Sequence, residues 1–163
     1  MKLKRMINIV LGMLILIVSV FFVYYQNKNE EVNPKQPIVE KEGNAMKIKV
    51  TNQEYVIIYE LNDSTAAQEL YDQLPLTLNV ENYSNNEKIF YPPKALSTDN
   101  TPHGDIKVGA LSYFQPWGNV VMFYGGNESG GNSLFEIGQA ISGEDYINKL
   151  SGTLIIEKSL NDY

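Results

Sequence analysis

Regular alternation of apolar and polar side chains begins at Met46. Met46, Ile48 and Val50 alternate with Lys47, Lys49 and Thr51, which is the period of a strand with one buried face. "EYVIIYE" follows a short polar turn and reads as a second strand from its β-branched and aromatic content. In "NDSTAAQELYDQLP" the period changes. Asp63 or Ser64 is placed to cap a helix, Ala66, Ala67 and Leu70 share one face, and Pro75 ends it. Alternation returns in "LTLNVENY", and "KIFYPP" is a short strand stopped by two prolines. Residues 94–108 form the longest irregular loop. "GALSYFQ" and "NVVMFYG" flank the Pro116-Trp117-Gly118 turn as a strand pair, and "GGNESGGN" is a glycine-rich loop tip. "SLFEIGQAISG" is a strand kinked at Gly138, "GEDYINKLSG" a short helix closed by Gly152, and "TLIIEKS" a final strand. Many short strands and two helices, without a βαβ rhythm, predict a mainly β fold, a closed barrel or a sandwich with helical caps.

The pattern before Met46 is different. An apolar run from about Ile7 to Tyr25 follows Lys2, Lys4 and Arg5 and contains no charge. Its length is near the ~20 residues of a membrane-spanning helix. It ends in bulky aromatics rather than at a small-residue cleavage site, so it reads as an uncleaved N-terminal transmembrane helix rather than a removed signal. The basic flank sets the N-terminus in the cytoplasm and everything after Tyr25 outside, at the surface of a single-pass cell membrane. Residues 26–45, polar and twice interrupted by Pro, read as a flexible stalk. The expected organisation is therefore a basic flank and anchor at 1–25, a stalk at 26–45, a domain at 46–159 and a tail at 160–163.

Charge and composition exclude several function classes. Arg5 is the only arginine, so the part beyond Tyr25 sets ten Lys against nineteen acids, a balance of −9. An acidic ectodomain without Arg is a poor partner for nucleic acid, phosphate or anionic lipid. There is no Cys, which excludes disulfides, thiolate metal sites and a cysteine nucleophile. The single histidine, His103, has no second His or Cys to share a metal, and Asp99, Asn100 and Asp105 offer no ligand spacing. Ser129 in "GNESGG" does not sit in a nucleophile elbow, and the same loop lacks the lysine of a phosphate-binding loop. Glu144 and Asp145 open a short helix, where negative charge complements the dipole. No metal and no cofactor is expected.

The aromatic residues carry the remaining signal. Phe90, Tyr91, Tyr113, Phe114, Trp117, Phe123 and Tyr124 cluster in mid-domain. In strands, Tyr113 and Phe114 face opposite sides, as do Phe123 and Tyr124, so about half of these rings belong to the core. An outward set sharing a face with Trp117 and His103 would make an amphipathic groove for a peptide or a sugar. The candidate groove residues are Tyr91, His103, Tyr113, Trp117, Asn119 and Tyr124. Whether Trp117 points into the domain or over a groove is left open by the turn that carries it.

Three segments, "LPLTLNVENYSNNEKIFYPPKAL", "HGDIKVGALSYFQPWGNVVMFYGG" and "ISGEDYINKLSGTLIIE", resemble in order and spacing the bacterial cyclophilin-like domain family of unassigned function. The resemblance spans about Met46 to Ser159. Its best-matching positions are Tyr113, Pro116, Trp117, Gly118, Asn119, Phe123 and Tyr124. It implies a closed eight-stranded cyclophilin-like β-barrel with two short capping helices. It transfers no catalytic residue. Cyclophilins isomerise prolyl bonds with an active-site Arg, and this domain has none; a lysine does not reproduce the planar guanidinium. The expectation is a membrane-anchored, extracytoplasmic, non-catalytic module that binds a peptide, an envelope glycan or a small molecule. A weak prolyl isomerase and a structural docking module are the alternatives.

Overall fold

A computed structural model describes residues 45–159, together with Tyr24. Apart from Tyr24 and Ala45, the expected anchor, stalk and tail lie outside the described residues. Among the described residues, no helix is long and apolar enough to cross a membrane.

Ten strands form. They are β1 (Lys47–Thr51), β2 (Val56–Leu61), β3 (Leu76–Tyr83), β4 (Glu87–Phe90), β5 (Asp105–Lys107), β6 (Ala110–Phe114), β7 (Asn119–Phe123), β8 (Asn127–Ser129), β9 (Leu134–Ser142) and β10 (Gly152–Lys158). Eight of them close an antiparallel barrel in the order β1-β10-β3-β4-β7-β6-β9-β2, and β5 with β8 makes a separate two-stranded ribbon. That ribbon departs from the sequence reading, which had loops at both places. Its strands are three residues each and carry no hydrophobic alternation to mark them.

The barrel interior holds Ile48 and Val50 of β1, Ile57 and Tyr59 of β2, Leu111 and Tyr113 of β6, Val120 and Met122 of β7, and Leu154 and Ile156 of β10. These are every second residue of their strands, as a closed sheet requires. The mouths are closed by two helices. Helix α1 (Thr65–Asp72) follows the end of β2, and its Ala66, Ala67 and Leu70 enter the core. Ser64 caps it by accepting the Ala67 N–H at 3.3 Å. A 3-10 helix, Glu144–Lys149, sends Ile147 into the same core, followed by Leu150. It is entered through Gly143, whose φ is +81° and whose missing Cβ would strike the Val56 carbonyl oxygen at the start of β2. The two helices therefore stand at opposite ends of β2.

One part of the wall is buried on both sides. All five residues of β7 are covered. Val121 and Phe123 face outward and form a second, smaller core with Ile89, Ala110 and Leu134, against which Ile106 and Phe114 pack. The unbroken apolar run "VVMF" is the sequence trace of this double burial.

Candidate functional site

A pocket of about 210 Å³ opens beside that second core, on the outer face of the barrel wall. Its floor is β7, which contributes Asn119, Val121 and Phe123, and its sides are Glu87 of β4, Phe114 of β6, Tyr83 at the end of β3 and Trp117 on the β6–β7 turn. Ile106, Gly130 and Leu134 complete it from the ribbon side. Strand parity aims these residues the same way. Phe114 is in register with Asn119, and Glu87 with both Phe123 and Tyr83.

The turn fixes Trp117. The N–H groups of Trp117 and Gly118 both donate to the Phe114 carbonyl, at 3.3 and 3.0 Å, and Gly118 takes φ +68°. A residue with a side chain adopts that angle at a cost, which is why glycine follows the tryptophan. The indole is thrown outward, 49% exposed, and stands perpendicular to two rings. It meets Phe114 at 5.4 Å and 88°, and Tyr83 at 5.0 Å and 89°. Such edge-to-face pairs are favoured by the ring quadrupoles and hold the three rings as an open box.

Two polar groups face this apolar site. Asn119 is 1% exposed, and its Oδ1 has no hydrogen-bond partner. A buried carbonyl left unpaired costs about 1–3 kcal/mol. Glu87 is the one ionisable carboxylate lining the pocket, and burial pushes its carboxyl up from the ordinary range. No cation lines the pocket. Lys107, next to Ile106, is turned to Glu136 at 3.1 Å. Among the described residues there is no group of three or more metal-ligating side chains.

Of the residues singled out in the sequence, Trp117 and Asn119 meet here. The others do not converge with them. Tyr113 lies inside the barrel, where its hydroxyl accepts the Leu96 N–H at 3.3 Å. Tyr124 is half-buried against the main core, and Tyr91 is exposed beyond β4. His103 bridges to Phe135 and packs against its ring, tilted by 36° at 4.9 Å, and is not part of the pocket lining. Sequence reasoning missed Tyr83 and Glu87. Their signal was parity: Glu87 alternates with Ile89 on the outward face, and β3 pairs Tyr83 opposite Glu87.

A family model described as "Cyclophilin-like family" matches residues 48–157. Among solved structures, the fold is similar to the solution structure of a hypothetical protein from Archaeoglobus fulgidus, with a TM-score of 0.59 and 15% identity, over 72% of this chain and 97% of that one. That likeness concerns the fold alone. No curated protein matches.

Proposed function

The chain belongs to the cyclophilin-like family, and on that premise we propose that it is a non-catalytic binding module whose ligand seats in the outer-wall pocket. The ligand is a peptide segment, an envelope glycan or a small molecule. The apolar run at residues 7–25 supports a single-pass anchor that holds the domain outside a cell membrane.

The observation that carries the reading is the Asn119 carbonyl. Buried polar atoms in folded proteins are nearly always paired, and an unpaired one at the floor of a ring-lined pocket is a point of attachment awaiting a donor. The lining contains no nucleophile and base in contact, and no Arg that could polarise a prolyl amide.

Trp117 is the only tryptophan, so its emission reports on this pocket in the full chain, held in detergent micelles. Titration with panels of peptides, cell-wall glycans and small molecules should give a saturable change for one class. A flat response to every panel overturns the proposal.

A further inference from the structure

Resting on the pocket reading above, we infer that the group the pocket receives is an alkylammonium ion, as carried by a free amine or by the end of a lysine side chain.

Two features select this chemistry. The walls are aromatic: Trp117 stands at right angles to Tyr83 and to Phe114, and Phe123 lies beside them. Ring faces carry partial negative charge and attract cations, most strongly where water is excluded. The charged member of the lining is a carboxylate, Glu87. A cation bearing N–H groups answers the rings and the carboxylate together: it lies against the ring faces and donates to Glu87.

Competing ligands fit less well. An anion would meet Glu87 and no compensating cation. A neutral apolar group would fill the space but leave the Glu87 carboxylate without a counter-charge. A volume of about 210 Å³ is below the ~300 Å³ at which sites for whole drug-sized molecules begin, so the pocket takes one end group rather than an extended ligand. The surplus of acids over lysines beyond the apolar run raises the local concentration of cations.

The test uses the full chain in micelles, with Trp117 emission and ligand-detected NMR as readouts. The probes are n-butylammonium, n-butanol, tetramethylammonium and the peptide Gly-Lys-Gly. Butylammonium should bind saturably and roughly tenfold tighter than butanol, which keeps the chain and a donor but lacks the charge. Tetramethylammonium, without an N–H for Glu87, should be weaker than butylammonium. Glu87→Gln and Tyr83→Ala, both at positions open to solvent on one side, should each weaken butylammonium several-fold. Binding of the lysine peptide as well as the amine supports a peptide-borne ligand, and binding of the amine alone supports a free one. If butanol matches butylammonium, or if another member of the broader panels binds while butylammonium does not, the cation assignment falls and the pocket stands as a binding site. Silence from every probe removes the pocket reading itself.

Discussion

Tyr83 and Trp117 meet edge to face at 5.0 Å, one at the end of β3 and the other on the turn after β6. Neither is buried: Tyr83 is 42% exposed and Trp117 49%. Their contact therefore orders a rim more than it supports a core. Tyr83→Ala should shift Trp117 emission to the red while lowering stability by only about 1 kcal/mol. Urea denaturation alongside emission spectra separates the two effects; a loss of several kcal/mol would show the rim to be structural.

Asn119 places function and stability in opposition. Asn119→Leu keeps the branched shape and the heavy-atom count and removes the unpaired carbonyl, so the folded domain should gain about 1 kcal/mol. The same change should abolish the ligand response of Trp117. A destabilised variant would mean that the amide has a partner the structure does not show.

Glu87 gives a pH signature. Burial raises its folded-state pKa above that of the unfolded chain. The folded state then holds the proton more tightly, so the favourable contribution of Glu87 is complete below the ordinary glutamate pKa. It is lost as pH rises through the raised value. Glu87→Gln should accordingly raise the melting temperature at pH 7 and leave it nearly unchanged near the acid end. Ligand affinity should move the other way, growing with pH as the carboxylate forms. A pH-independent difference between the two proteins would contradict this.

Lys88 has the opposite sign. It is 5% exposed, with its ammonium donating to Asn82 Oδ1, and burial lowers its pKa. Stability should climb as pH rises from the lowered value towards that of a free lysine. Lys88→Met should flatten that climb and add about 1 kcal/mol at neutral pH, read from chemical denaturation.

Gly143 is a test of the fold. Its φ of +81° and the proximity of the Val56 carbonyl leave no room for a methyl group. Gly143→Ala should cost at least about 1–3 kcal/mol and loosen the 3-10 helix, observable as faster amide exchange at Ile147 and Leu150.

On catalysis, a protease-coupled assay with Ala-Pro peptides should return the background rate even with the domain in excess. A rate above background would restore the isomerase alternative and require an electrophile other than arginine.

What was legible in the sequence was what periodicity encodes. Ile48 and Val50, Leu111 and Tyr113, Val120 and Met122 could be put on one face by counting in twos, and they are the barrel interior. Capping chemistry narrowed the helix start to Asp63 or Ser64, and Ser64 is the cap. The β5–β8 ribbon could not be read, because three-residue strands are too short to show a period. The candidate groove was half legible. Parity separates Tyr113 from Phe114, but it does not say which outward residues from distant strands become neighbours. His103 and Tyr91 were grouped with Trp117 by proximity in sequence, whereas Tyr83 and Glu87 reach it through the β3–β4–β7 register.

The closed order of the eight strands limits how any partner can be engaged. A sheet with a free border can recruit an extended peptide as one more strand, reading its backbone and little of its sequence. The pocket floor has no such border, since β7 is paired with β4 on one side and with β6 on the other. Recognition on this wall must run through side-chain chemistry, so selectivity should respond to single substitutions among the rings and polar groups of the pocket and be indifferent to the backbone of whatever arrives.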